Sequence, residues 1–177
     1  MVVEIGDLDL LDGLVWLGRG GNAAEKMSAS QSTISRAAAR VMAAFDLELV
    51  KDQGEWLITG DTTHLDQERL IHQRIRLNVA YPLRVEAQYY SSPVFCSRLQ
   101  DKSYLLGNFD ILEISRAIEL LRTGVIDAWI AGYPDLPAPN DPDLACIHLT
   151  RLPLHLVVAT GHPRVAKGDA EIGRAHV

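Results

Sequence analysis

Cysteine is scarce in this chain. The 177 residues hold two, Cys96 and Cys146, fifty positions apart and outside any CxxC pair. That spacing excludes a disulfide-stapled scaffold and a zinc ribbon, and suits two thiols kept reduced in the cytoplasm. The six histidines are scattered, with no HxH or HExxH pattern, so neither a metal nor any other cofactor is expected. No apolar run approaches the roughly 18 residues of a membrane span, and no membrane partner is expected. Glu4, Asp7 and Asp9 stand where a signal peptide carries positive charge. There is no GxSxG and no Walker loop. Gly18-Arg19-Gly20-Gly21-Asn22-Ala23 fits the loose dinucleotide pattern GxGxxA, but it follows a helical stretch rather than a strand. The paired acids Asp141 and Asp143 lie in a proline-rich loop and read as solvated. No enzyme class is therefore supported.

Excess positive charge is also missing. The net charge is −6: residues 1–60 carry five Lys/Arg against nine Asp/Glu, residues 61–82 three of each, and residues 83–177 nine against eleven. Nothing resembles a polybasic tail, so nucleic-acid binding would have to rest on a few well-placed cations. What is present is an ordinary globular composition, 47% apolar and 23% charged, with enough length to bury a core.

The first segment reads as helical. Leu8, Leu11, Leu14, Val15 and Leu17 form an apolar stripe, with Asp7, Asp9 and Asp12 near its positive end. After Gly18-Arg19-Gly20-Gly21, Asn22 and Glu25 have capping-box spacing for a second, short helix. Ser30 is the expected N-cap of a third helix, running to about Phe45, whose Ile34, Ala38, Val41 and Phe45 share one face. Two β-like runs at 47–50 and 56–59 flank a turn containing Gly54 and predict a hairpin. Asp61-Thr62-Thr63 opens a long helix to about Val79, closed by Pro82. From Leu83 the pattern alternates strand and helix: strands at 83–87, Phe109 to Ile111, 127–131, 144–149 and 154–159, and a helix from Glu113 to Leu121. That alternation predicts a mostly parallel sheet.

Two short helices joined by a tight turn suggest a helix-turn-helix. The local sequence is more specific. Ala23-Ala24-Glu25-Lys26-Met27, followed by Ser30-Gln31-Ser32-Thr33-Ile34-Ser35-Arg36, resembles the signature of the LysR-type transcriptional regulators. The hairpin resembles that family's wing and residues 61–82 its linker helix. Asp127-Ala128-Trp129-Ile130-Ala131 and Val157-Val158-Ala159-Thr160-Gly161-His162-Pro163 resemble stretches of its effector domain. Two departures stand out. Phe45-Asp46-Leu47-Glu48-Leu49-Val50 replaces the usual Leu-Gly-x-x-Leu-Phe, and the wing carries Asp52 and Glu55 beside a single Lys51.

The resemblance implies an α+β chain. It has a winged helix-turn-helix over 1–60 and a dimerising linker helix over 61–82. The start of an α/β, periplasmic-binding-protein-like effector domain follows over 83–170. It implies double-stranded DNA as partner, a homodimer or tetramer, and a small-molecule inducer. On the third helix, Gln31, Ser32 and Thr33 would face bases, Gln pairing with adenine and the Thr methyl meeting thymine. Ser30, Ser35, Arg36 and Arg40 would add phosphate or guanine contacts, with Asn22, Lys26 and the wing's Lys51 on phosphate. In the α/β part, Tyr90, Ser91, Ser92, Gly132 and Tyr133 follow strand ends and would hold the inducer, with hydroxyls and amides suited to a small carboxylate. The other class weighed is a degenerate copy that no longer binds DNA and acts by pairing with a full-length relative. A free-standing ligand-binding protein is a third.

Residues 171–177, Glu-Ile-Gly-Arg-Ala-His-Val, read as the in-frame translation of a short-read sequencing adapter. The natural sequence is expected to diverge from this one after about Ala170, with a longer sensor following.

Overall fold

The computed structural model describes residues 3–78, 81–91, 95–99, 102–109, 114–133 and 135–151. One compact unit spans residues 1–146, and the chain from 147 onward belongs to a second.

Helix α1 (Ile5–Leu17) ends where Gly18 turns left-handed, at φ +68°. Helix α2 (Gly20–Lys26) is shorter and begins earlier than its capping-box pattern predicts. Arg19, extended at φ −122°, is the N-cap, and its carbonyl accepts from the Ala23 amide. Asn22 is thus the third residue inside the helix, not its cap. Helix α3 (Gln31–Phe45) starts as expected at Ser30, whose Oγ accepts the Thr33 amide at 3.1 Å. It buries Ile34, Ala37, Ala38, Val41 and Met42. Alanines at 37 and 38 let α3 pack closely on α1.

Asp46 closes α3 in the left-handed region, at φ +55° and ψ +49°. The Leu47 amide then reaches back to the Met42 carbonyl, and Leu47 enters the core. A glycine would hold this conformation without strain; this chain uses Asp. Strands β1 (Glu48–Asp52) and β2 (Glu55–Thr59) pair antiparallel. Gln53 and Gly54 form their two-residue turn, both with positive φ, as a type I′ hairpin requires. The strands are longer than the sequence pattern suggests, so Lys51 sits in β1 rather than in the turn. Gly60, at φ +116°, is needed for space as well: a Cβ there would lie 2.7 Å from the Leu47 side chain.

Helix α4 (Thr63–Asn78) begins after Asp61, whose carboxylate accepts both the amide and the hydroxyl of Thr63. Strands β3 (Leu83–Ala87), β4 (Tyr104–Leu106) and β5 (Ala128–Ile130) form a parallel sheet in the order β4-β3-β5. A 3-10 turn (Cys96–Arg98) precedes β4, and helix α5 (Ile114–Arg122) precedes β5. The strand expected around Phe109 lies instead at β4. Phe109 has φ +56°, and its amide donates to the Glu86 carboxylate rather than to a ladder. Residues 144–149 form no strand: the chain from Ala145 is exposed and pairs with no strand among the described residues. Val79, Ser92, Ile111 and the run at 154–159 lie outside the described residues.

One apolar cluster joins α1, α3 and Leu47 to Leu65 of α4 and to Leu120, Val125 and Ile126 around α5. Each fully buried Leu or Ile contributes about 1.5–3 kcal/mol. Polar groups are buried beside it in matched pairs. Asp12 accepts from Arg69 at 2.8 Å and from Arg84 at 3.1 Å; Arg84 also donates to Asp9 at 2.6 Å and to the Val125 carbonyl. Arg76 grips Asp127, whose other contact is the Arg84 amide. The α1 acids expected to serve the helix dipole are therefore mainly ion-pair partners for α3, α4 and β3. Such pairs are strong only while both partners remain.

Candidate nucleic-acid interface and ligand site

The turn between α2 and α3 puts three hydroxyls together. Ser32 Oγ and Thr33 Oγ1 lie 2.9 and 2.8 Å from Ser30 Oγ. Beyond them Gln31, Ser32, Ser35, Arg36, Ala39 and Arg40 are exposed along one side of α3, opposite its buried face. Gln31 lies against Gly21, where a Cβ would come 3.4 Å from Nε2.

The cations are placed unequally. Arg36 projects from the exposed side, its Nε donating to the Ser32 carbonyl at 3.2 Å. Arg40 donates to Asp7 of α1 through Nε and Nη2, at 2.6 and 2.5 Å. That hydrogen bond holds the Asp7 carboxyl below its ordinary range. Lys51 lies over the Trp56 ring across the hairpin, 5.3 Å from its centroid. Lys26 donates to the Leu106 carbonyl at 2.8 Å. Asn22 is half-buried. The expected contact residues are therefore split. Ser30, Gln31, Ser32, Ser35 and Arg36 form one exposed strip, with Lys51 exposed on the hairpin, while Lys26 and Arg40 are engaged within the chain.

A second cluster forms at the carboxyl ends of β3 and β5. The sheet order reverses direction there, because β4 and β5 flank β3 on opposite sides. Such a switch point opens a crevice between strand ends. Gln88 organises it: its Oε1 accepts from the Tyr90 hydroxyl and from the Gly132 amide (2.8 Å), and its Nε2 donates to Asp135 at 2.5 Å. Ser91 Oγ donates to the Gln88 and Ile130 carbonyls at 2.9 and 3.2 Å. A Cβ on Gly132 would come 2.7 Å from the Tyr90 hydroxyl, so Tyr90 would have to move away from Gln88 to admit a side chain. Burial and the Asp135 carboxylate push the Tyr90 hydroxyl up. Tyr90, Ser91 and Gly132 thus come together; Tyr133 is 87% exposed, and Ser92 is outside the described residues. Gln88 and Asp135 were missed in the sequence. Gln88 carries one usable signal, its position directly after a strand.

No protein-family model matches the chain, and no curated protein matches it. Solved structures do. A full-length OxyR variant from Pseudomonas aeruginosa is 20% identical, with 75% of this chain and 51% of that one covered, at a TM-score of 0.44. ArgP from Mycobacterium tuberculosis is 19% identical, covering 71% and 47%, at 0.38. DarR from Vibrio fischeri, solved in complex with DNA, is 19% identical, covering 71% and 49%, at 0.32. The chain spans about half the length of these structures. DarR is a member of the LTTR family.

Proposed function

We propose that this chain is part of a LysR-type transcriptional regulator, acting in the cytoplasm, that lays α3 in the major groove of double-stranded DNA. The observation that carries the reading is the exposed strip Gln31, Ser32, Ser35 and Arg36 on a Ser30-capped helix, with a type I′ wing beside it. Gln31 is the candidate for adenine, the Thr33 methyl for thymine, and Arg36 for guanine or phosphate. Ser30 and Ser35 support the phosphate register, with Lys51 from the wing. Asn22, Lys26 and Arg40 join only after local rearrangement. Residues 1–60 serve as the DNA-binding module, 61–82 as the linker and 83–170 as the sensor portion. Leu70, Ile71 and Leu77 leave an apolar edge exposed on α4, which suits pairing of two copies into a dimer or a higher assembly. The inducer is a small molecule at the Gln88 cluster, held by Tyr90, Ser91 and Gly132, with Ser92 and Tyr133 at its rim. A carboxylate would use the Gly132 amide and the hydroxyls. No catalytic step is proposed.

The test is fluorescence anisotropy with duplexes from upstream of the gene, across a salt series. Binding should weaken steeply with salt, and Arg36→Ala should lower affinity and reduce the log–log slope by about one unit. Salt-independent binding, or no effect of Arg36→Ala, overturns the reading. A second reading has its own support: the first 60 residues are net acidic, and two of their five cations are engaged internally. A degenerate copy acting only by dimerisation would give no protection on any upstream fragment at low salt.

A further inference from the structure

We propose that the α/β portion competes with DNA for the DNA-binding module, holding it in a closed arrangement that withholds Lys26; this rests on the regulator reading above. The contact is built on β3. Arg84 donates to Asp9 and Asp12 of α1, and two residues on, Glu86 accepts the Trp16 indole N–H at 2.8 Å. This alternation places both side chains on the face that α1 covers. Gln88 continues the same alternation into the candidate ligand cluster, so one strand bears both the docking face and the ligand hub. At the end of β4, the Leu106 and Gly107 carbonyls lie 2.8 and 3.5 Å from the Lys26 ammonium. Arg116 of α5 donates to the carbonyls of Val15 and of Trp56, the latter on the wing.

The module is thereby held at α1, α2 and β2, while the outer side of α3 stays open. A lysine has three donors, so two carbonyls do not exhaust it chemically. Phosphate is kept away by the end of β4 itself, which covers the half-buried ammonium. DNA that needs Lys26 must first separate the module from β4. Binding then draws on the fraction of molecules that are open, and loosening the seam raises apparent affinity.

The experiment compares the full chain with Trp16→Phe, which keeps an aromatic ring but removes the indole donor, and with Arg116→Met as an independent lesion. Two readouts are taken: the rate of reductive methylation at Lys26 relative to Lys51, by peptide mass spectrometry, and anisotropy with a mixed-sequence duplex at low salt. Lys26 should react more slowly than Lys51 in the wild type. Each variant should speed Lys26 labelling and bind the duplex about three- to tenfold more tightly. Equal wild-type labelling of Lys26 and Lys51, or unchanged labelling in both variants with DNA binding intact, overturns the competition alone. Faster labelling with weaker duplex binding also overturns it. Faster labelling with no duplex binding by any form overturns the regulator reading and the competition with it.

Discussion

Replacing Asp46 by glycine should stabilise this protein. Asp46 holds the left-handed turn between α3 and the wing, at φ +55°. An L-residue there costs about 1–2 kcal/mol, somewhat less for Asp, whose short side chain tolerates the region. The carboxylate also faces the negative end of the α3 dipole, a further cost of about 0.3 kcal/mol at an exposed site. Glycine relieves both, but its freer unfolded chain returns about 0.4–1 kcal/mol. The net gain is about 0.5–1 kcal/mol, which raises Tm by about 1–4 °C in a chain of this size. Asp46→Ala separates the two causes, because it removes the charge and keeps the strained backbone. Urea unfolding followed by tryptophan emission should rank Gly above Ala, and Ala near the wild type. A glycine variant no more stable than the alanine variant would refute the turn geometry. The substitution lies outside the exposed strip of α3, so it should leave that surface unchanged.

Removing Asp12 should be severe. Its side chain is 1% exposed and serves two buried guanidinium groups, so Asp12→Asn should cost about 3 kcal/mol or more, read as a lower urea midpoint. A loss below about 1 kcal/mol would show that Arg69 and Arg84 are adequately served by Asp66 and Asp9. Acid should also reveal the Asp7–Arg40 pair. Because the folded Asp7 carboxyl titrates below its ordinary value of about 3.9, its contribution is complete above that value and is lost as pH falls through the folded one. Stability measured downward from pH ~5 should therefore fall less steeply in Asp7→Asn than in the wild type over the window below about pH 4.

The local elements of residues 1–60 were legible from residue types alone. Ser30 announces the start of α3 because a hydroxyl at that position satisfies an amide the helix leaves unpaired. Gly54 between two β-like runs announces the hairpin because its turn needs positive φ. The strip from Gln31 to Arg36 was legible for the same reason: it follows from helix periodicity once the apolar face is assigned. Where two local signals competed, the sequence misled. Asn22 has the composition of a cap, yet Arg19 takes that place because Gly20 and Gly21 join the helix. Residues 144–149 form an apolar run of strand length, but such a run cannot supply its own partner strand. Which charges meet depends on how distant elements pack. Asp12 with Arg84 and Trp16 with Glu86 pair across some seventy residues, and Lys26 meets the end of β4 across eighty. Nothing local marks such partners. Periodicity tells which side of an element avoids water, whereas a buried ion pair depends on which two elements pack and at what register. The same limit hid Gln88, whose amide becomes a hub only when β5 brings Gly132 beside it.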